Sequence, residues 1–141
     1  MPITARLVRA PSAPSQASAL GAPDATTIYF AVDYDASFDD VNSAVRKYFE
    51  GVNSALTSFA ASGNARYRVG VYGSGLTCSA VTGAGLASQG WLAQATGWRG
   101  HGAYTSWSIS QGMPTTACGM SVDPDTAVGD FGAIAAAAAV A

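Results

Sequence analysis

Between Thr27 and Gly73 the chain runs strand, long amphipathic helix, strand, and this order constrains the fold more than any other feature of the sequence. Thr27 to Asp33 is nearly all apolar, the pattern of a strand covered on both faces in a parallel α/β sheet. Ser37-Phe38-Asp39-Asp40 then fits a helix start, with Ser37 as N-cap and acidic residues in the first turn, where the macrodipole favours them. Val41, Val45, Tyr48, Val52, Leu56 and Phe59 recur every three or four residues as one apolar stripe, which predicts a core-facing helix. At helical rise it makes about six turns. Ser62-Gly63-Asn64 stops it, and Tyr67 to Gly73 reads as the next strand. A right-handed parallel βαβ unit follows from that order.

Downstream the signals are shorter. A second helix is expected over Thr77 to Leu86, weakened by Gly83 and Gly85, and Gly90 to Ala95 supplies a third strand. A Gly-rich loop carrying Trp98, Arg99 and His101 leads to a fourth strand, Ala103 to Gln111, with Trp107, Ile109 and Gln111 on one face. After a turn at Gly112-Met113-Pro114, a fifth is expected at Gly119 to Asp123. Residues 1–24, broken by Pro11, Pro14 and Pro23, read as a flexible, low-complexity lead; 25–132 form the domain, and 133–141 an Ala-rich tail too short to cross a bilayer.

A chain of 141 residues that is 49% hydrophobic is long enough for one domain with its own core. Charged residues make up 11% and the net charge is −2, so there is no basic surface for nucleic acid or anionic membrane. Cys78 and Cys118 have no ligand cluster around them, which argues against a metal site and leaves both a disulfide and two free thiols open. No cofactor motif is present: Gly70-x-x-Gly73-x-Gly75 lacks the Walker lysine and the dinucleotide spacing. Met1 to Gly21 holds no apolar run long enough for a signal-peptide core.

Chemistry concentrates at strand ends. Asp33 and Asp35 close the first strand two residues apart, a Cα spacing of roughly 6.6 Å if the strand stays extended. Two carboxylates so placed could flank one substrate bond, and they equally fit a strand end entering a turn and a capped helix. Tyr72, Gln94, Gln111 and Asp123 end further strands. Tyr34, Tyr72, Trp91 and Trp107 are candidate platforms for the apolar face of a sugar, or core filling. Asp123 and Asp125 flank Pro124 and fit an Asx-type turn as well as a site. His101 has no nucleophile signature around it and reads as solvated surface.

Taken together, Ile28-Tyr-Phe-Ala-Val-Asp-Tyr-Asp35, Tyr67-Arg-Val-Gly-Val-Tyr-Gly73, Trp107-Ser-Ile-Ser-Gln111 and Ser121-Val-Asp-Pro-Asp125 resemble the second half of a bacterial glycoside hydrolase-like domain of unknown function. That family is similar to the lysozyme-type (β/α)8 barrels that cleave the glycan of peptidoglycan. The resemblance implies an α/β fold, a parallel-strand partial (β/α)8 TIM barrel amounting to about the C-terminal half. A complete barrel takes about 250 residues, or about 200 at its most compact, against about 115 ordered ones here. The resemblance also implies Asp33 and Asp35 as the catalytic acid pair, with Asp35 standing where relatives carry a longer Glu. The likeness maps Tyr72, Gln111 and Asp123 onto strand ends around the pocket, and with Trp107 as an aromatic platform these would bind substrate. The implied activity is hydrolysis of cell-wall glycan; the alternatives are a non-catalytic carbohydrate-binding or structural module, or a fragment without independent activity. Expected partners are a glycan and, through open barrel edges, further copies of the chain. The likeness suggests a secreted or cell-envelope location.

Overall fold

The computed structural model describes residues 12–134. Residues 1–11 of the expected lead and 135–141 of the expected Ala-rich tail lie outside the described residues. Elements follow in the order α1 (Ala13–Ala19), β1 (Thr27–Ala31), α2 (Phe38–Asn42), α3 (Ala44–Ala61), β2 (Arg68–Gly73), α4 (Gly75–Gly83) and β3 (Gln89–Leu92). Four short strands complete the chain: β4 (Ile109–Gln111), β5 (Thr115–Ala117), β6 (Met120–Val122) and β7 (Asp125–Ala127). The main sheet has the order β1-β2-β3-β4-β7, and β5 pairs with β6 in a separate hairpin.

The βαβ unit forms as its pattern predicts, with β1 parallel to β2 in the register Thr27↔Arg68 to Ala31↔Tyr72. Ser37 caps α2 in a capping box: its hydroxyl accepts from the Asp40 N–H, and its own N–H donates to the Asp40 carboxylate. The single long helix is divided at Ser43, because the side chains of Asn42 and Ser43 bond back to the carbonyls of Phe38 and Asp39. Such back-bonding competes with the helical ladder. The α3 stripe of Val45, Tyr48, Phe49, Val52 and Leu56 is buried against Phe30, Val69 and Val71. Within the expected lead, α1 tolerates Pro14 because it lies in the first turn, where its missing N–H would have no partner.

Successive strands from β1 to β4 step in one direction, so right-handed crossovers place α3 and α4 on the same face. That face carries Phe30, Val32, Val69, Val71 and Leu92. Among the described residues, β1 thus has helices on one face only. Its second face bears Tyr29, Tyr72, Trp91 and Gln111, all half-buried. Asp130 to Gly132 cross this face at its amino end: Arg68 pairs with Asp130 at 2.6 Å, and the Tyr29 hydroxyl donates to the Phe131 carbonyl at 2.7 Å. Toward the carboxyl end, Tyr72, Trp91 and Gln111 remain partly exposed.

The all-parallel partial TIM barrel is also corrected: the sheet is mixed, because β7 pairs antiparallel with β4 in the register Ile109↔Ala127 to Gln111↔Asp125. The expected fifth strand, Gly119 to Asp123, contributes β6 to the hairpin instead. Cys118 and Gly119 form its two-residue turn with φ of +50° and +77°. Positive φ at both central positions is the geometry that matches hairpin twist. A parallel return after β4 needs a crossover of about a dozen residues, usually helical, and the hairpin occupies that length. The expected Ala103 to Gln111 strand shrinks to β4, the preceding residues being loop, and α4 starts earlier than expected because Ser74 caps it.

Candidate functional site

Parallel strands bring their carboxyl ends to one edge of the sheet, so the residues that follow β1 to β4 become neighbours although they are far apart in sequence. The β1 ladder closes with the Val32 N–H donating to the Tyr72 carbonyl at 2.8 Å. Asp33 comes directly after it, exposed, and its carboxylate has neither a hydrogen bond nor an ion pair among the described residues.

Tyr72, near the end of β2, donates its hydroxyl proton to Gln111 Oε1 at 3.0 Å. The same oxygen accepts the main-chain N–H of Gln94 at 3.2 Å. The Tyr72 ring meets Trp91 edge to face, with centroids 5.4 Å apart, and Tyr29 meets Trp91 in the same manner at 5.7 Å. The Trp91 indole N–H donates to Asp125 Oδ1 at 3.0 Å. Burial, and then the negative charges of Asp33, Asp123 and Asp125, push the Tyr72 phenol above its ordinary value.

Asp35 faces elsewhere. Its Oδ1 accepts the Arg99 N–H at 2.8 Å, its Oδ2 pairs with the Arg99 guanidinium at 2.7 Å, and its carbonyl accepts from the same guanidinium at 3.2 Å. The loop carrying Arg99 is anchored in turn, because the Arg99 carbonyl accepts the Leu76 N–H in the first turn of α4 at 2.9 Å. Gly75 and Gly100 touch there so closely that a Cβ on Gly75 would collide with the Gly100 carbonyl. Packing also explains Gly70, whose missing side chain makes room for the Tyr29 ring.

Of the residues expected to form a site, Tyr72 and Gln111 are hydrogen-bonded at the carboxyl edge, and the charges of Asp33 and Asp123 act on the Tyr72 phenol, whereas Asp35 is bound to Arg99 and Trp107 packs against the core. Tyr34 also packs against the core, and His101 is half-exposed in the Arg99 loop. Asp125, which fitted a turn as well as a site, and Arg99, a loop residue, are the additions. Their partners lie 34 and 64 residues away, and no local pattern signals such pairings.

Cys78 is buried and Cys118 exposed, both as free thiols. Among the described residues no group of three His, Cys, Asp or Glu is placed to hold a metal, and no helix is long and apolar enough to cross a membrane. The edge therefore offers carboxylates, a phenol, a carboxamide and aromatic faces, a set suited to hydrogen bonding a polyhydroxylated ligand.

Among curated proteins the chain is 38% identical over 105 residues to the uncharacterized protein YbfG of Bacillus subtilis strain 168, covering 71% of this chain and 14% of YbfG. It is 36% identical over 90 residues to the uncharacterized protein FadG of the same organism, covering 61% of this chain and 15% of FadG. The chain thus spans a small part of these relatives. The crystal structure of the Mycobacterium tuberculosis Tat-secreted protein Rv2525c in complex with HEPES shares the fold, with a TM-score of 0.72 at 22% identity over 92% of this chain and 60% of that one. The family model of the Rv2525c-like, glycoside hydrolase-like domain matches residues 7–127. The chain belongs to the Rv2525c-like, glycoside hydrolase-like domain family.

Proposed function

We propose that the carboxyl edge of this domain binds bacterial cell-wall glycan, and that its chemistry is hydrolysis of a glycosidic bond by carboxylates. The observation that carries this reading is Asp33, exposed directly after β1 and without a partner among the described residues, at the strand edge where Tyr72 bonds Gln111 and where α/β enzymes place their sites. Family membership supports it, and the secretion of Rv2525c is in keeping with a substrate outside the cytoplasm. Glycosidic cleavage needs a proton donor and an ionised partner, about 5 to 5.5 Å apart for retention and ~6.5 to 9.5 Å for inversion. Asp33 and Asp35 are the proposed pair, with Asp35 leaving Arg99 when substrate enters.

A second reading, glycan binding without turnover, is favoured by one observation: Arg99 already occupies both Asp35 oxygens. Release of reducing ends from purified peptidoglycan separates the two. Turnover that is lost in both Asp33→Asn and Asp35→Asn supports the hydrolase. Co-sedimentation with peptidoglycan without any release of reducing ends supports the binding module, and neither binding nor release overturns both.

A further inference from the structure

The carboxamide of Gln111 can sit in only one way. The Gln94 N–H is a main-chain donor lying 3.2 Å from one terminal atom of that amide, so this atom must be the oxygen. The Tyr72 hydroxyl lies 3.0 Å from the same oxygen, which can only accept, so Tyr72 uses its single proton there. With Oε1 filled by two donors, the amide nitrogen keeps both of its N–H groups, and it has no protein partner among the described residues. The residue is half-exposed at the carboxyl end of β4, on the second sheet face.

Tyr72 is itself held in place. Its ring lies edge to face on Trp91, and the Trp91 indole is tied to Asp125, so β2, β3, β4 and β7 each contribute one member of a connected set. Burial first, and then nearby carboxylates, favour the protonated phenol, in keeping with the Tyr72 hydroxyl acting as the donor.

We infer that Tyr72 is a positioning residue that locks the Gln111 amide with its NH2 group directed at the ligand, and that this NH2 recognises an acceptor oxygen of a glycan, either a hydroxyl or an acetamido carbonyl. The ligand half of this inference rests on the glycan reading above. The positioning half stands on the protein alone.

The test uses the whole 141-residue chain and two substitutions, Tyr72→Phe and Gln111→Glu. Tyr72→Phe keeps the ring on Trp91 and removes the lock, whereas Gln111→Glu keeps both acceptor bonds and removes the NH2 donor. The first readout needs no ligand: ¹⁵N relaxation of the Gln111 side-chain amide, with the Trp91 indole resonance reporting an intact fold. Order in the wild type and increased mobility in Tyr72→Phe are expected; equal mobility in both overturns the positioning role.

The second readout is the dissociation constant for chitotetraose. Loss of one hydrogen bond predicts binding weaker by about three- to tenfold in Tyr72→Phe and at least as weak in Gln111→Glu. The double variant should bind no more weakly than Gln111→Glu alone, because both changes act on the same donor. Undiminished binding by Gln111→Glu overturns the donor role. Absence of wild-type binding to chitotetraose and to soluble peptidoglycan fragments overturns the ligand half together with the glycan reading, and the amide relaxation still decides the role of Tyr72.

Discussion

Arg99 grips Asp35 through two separate groups, its main-chain N–H at 2.8 Å from Oδ1 and its guanidinium at 2.7 Å from Oδ2. The side chains are 47% and 32% exposed, so solvent screens most of the Coulomb attraction. The consequence is geometric: the loop after β3 is pinned to the loop after β1, and the second acid of the expected pair becomes part of the clasp.

Asp35→Ala should therefore lower stability by only about 1 kcal/mol, the scale of a charge-assisted hydrogen bond at a half-exposed site. Its larger effect should be local, a loss of hydrogen-exchange protection at the Arg99 amide. Arg99→Ala removes the guanidinium and keeps the N–H, so it should cost less protection than Asp35→Ala at the exchanged position. Equal protection in wild type and Asp35→Ala would show that the loop is held without the clasp.

Gly75→Ala tests the anchor of that loop on α4. The new methyl would meet the Gly100 carbonyl and the His101 N–H, which are main-chain groups that cannot rotate away. Overpacking of this kind costs roughly 1–3 kcal/mol. Urea unfolding should show a lower midpoint with an unchanged slope, and an unaltered midpoint would contradict the close approach of the two loops.

Burial pushes the Cys78 thiol up to about 12, whereas Cys118 is exposed in the β5–β6 turn. The thiolate is the reactive form. At pH 8, a disulfide-exchange reagent should modify one thiol per native chain quickly and the second only after urea is added. Rapid modification of both in the native chain would mean that Cys78 is reached without unfolding.

Hydrogen bonds from the Ser37 N–H and hydroxyl hold the Asp40 carboxyl below the usual carboxylate range. A pKa lowered by folding stabilises the folded state above the unfolded value of about 3.9, and that contribution is lost as pH falls through the folded value. The Tm advantage of wild type over Asp40→Asn should accordingly be present at neutral pH and shrink below about pH 4. A difference that grows on acidification would reject the capping-box account.

Much of the first half of this domain was legible because its signals are local and repeated. The α3 stripe repeats over about three turns with Val45, Tyr48, Phe49, Val52 and Leu56 all buried, and Ser37 lies within three residues of Asp40. Asp33, Tyr72 and Gln111 could be picked out because strand ends are recognisable even where strand lengths are not. The second half was harder: β4 to β7 span three residues each, and the Asp125–Ala127 strand is exposed throughout, so no alternation marks it.

The order of residues alone decided that an apolar strand, a capped amphipathic helix and a second strand would form one parallel unit ending on chemically capable side chains. That much follows from periodicity and capping, which act within a few residues. Which of those side chains meet was decided only by the tertiary structure. The antiparallel return of β7 puts Asp125 on Trp91, and the loop after β3 carries Arg99 to Asp35, leaving Asp33 without a partner among the described residues. These are contacts between residues 34 and 64 positions apart, set by strand order and loop packing.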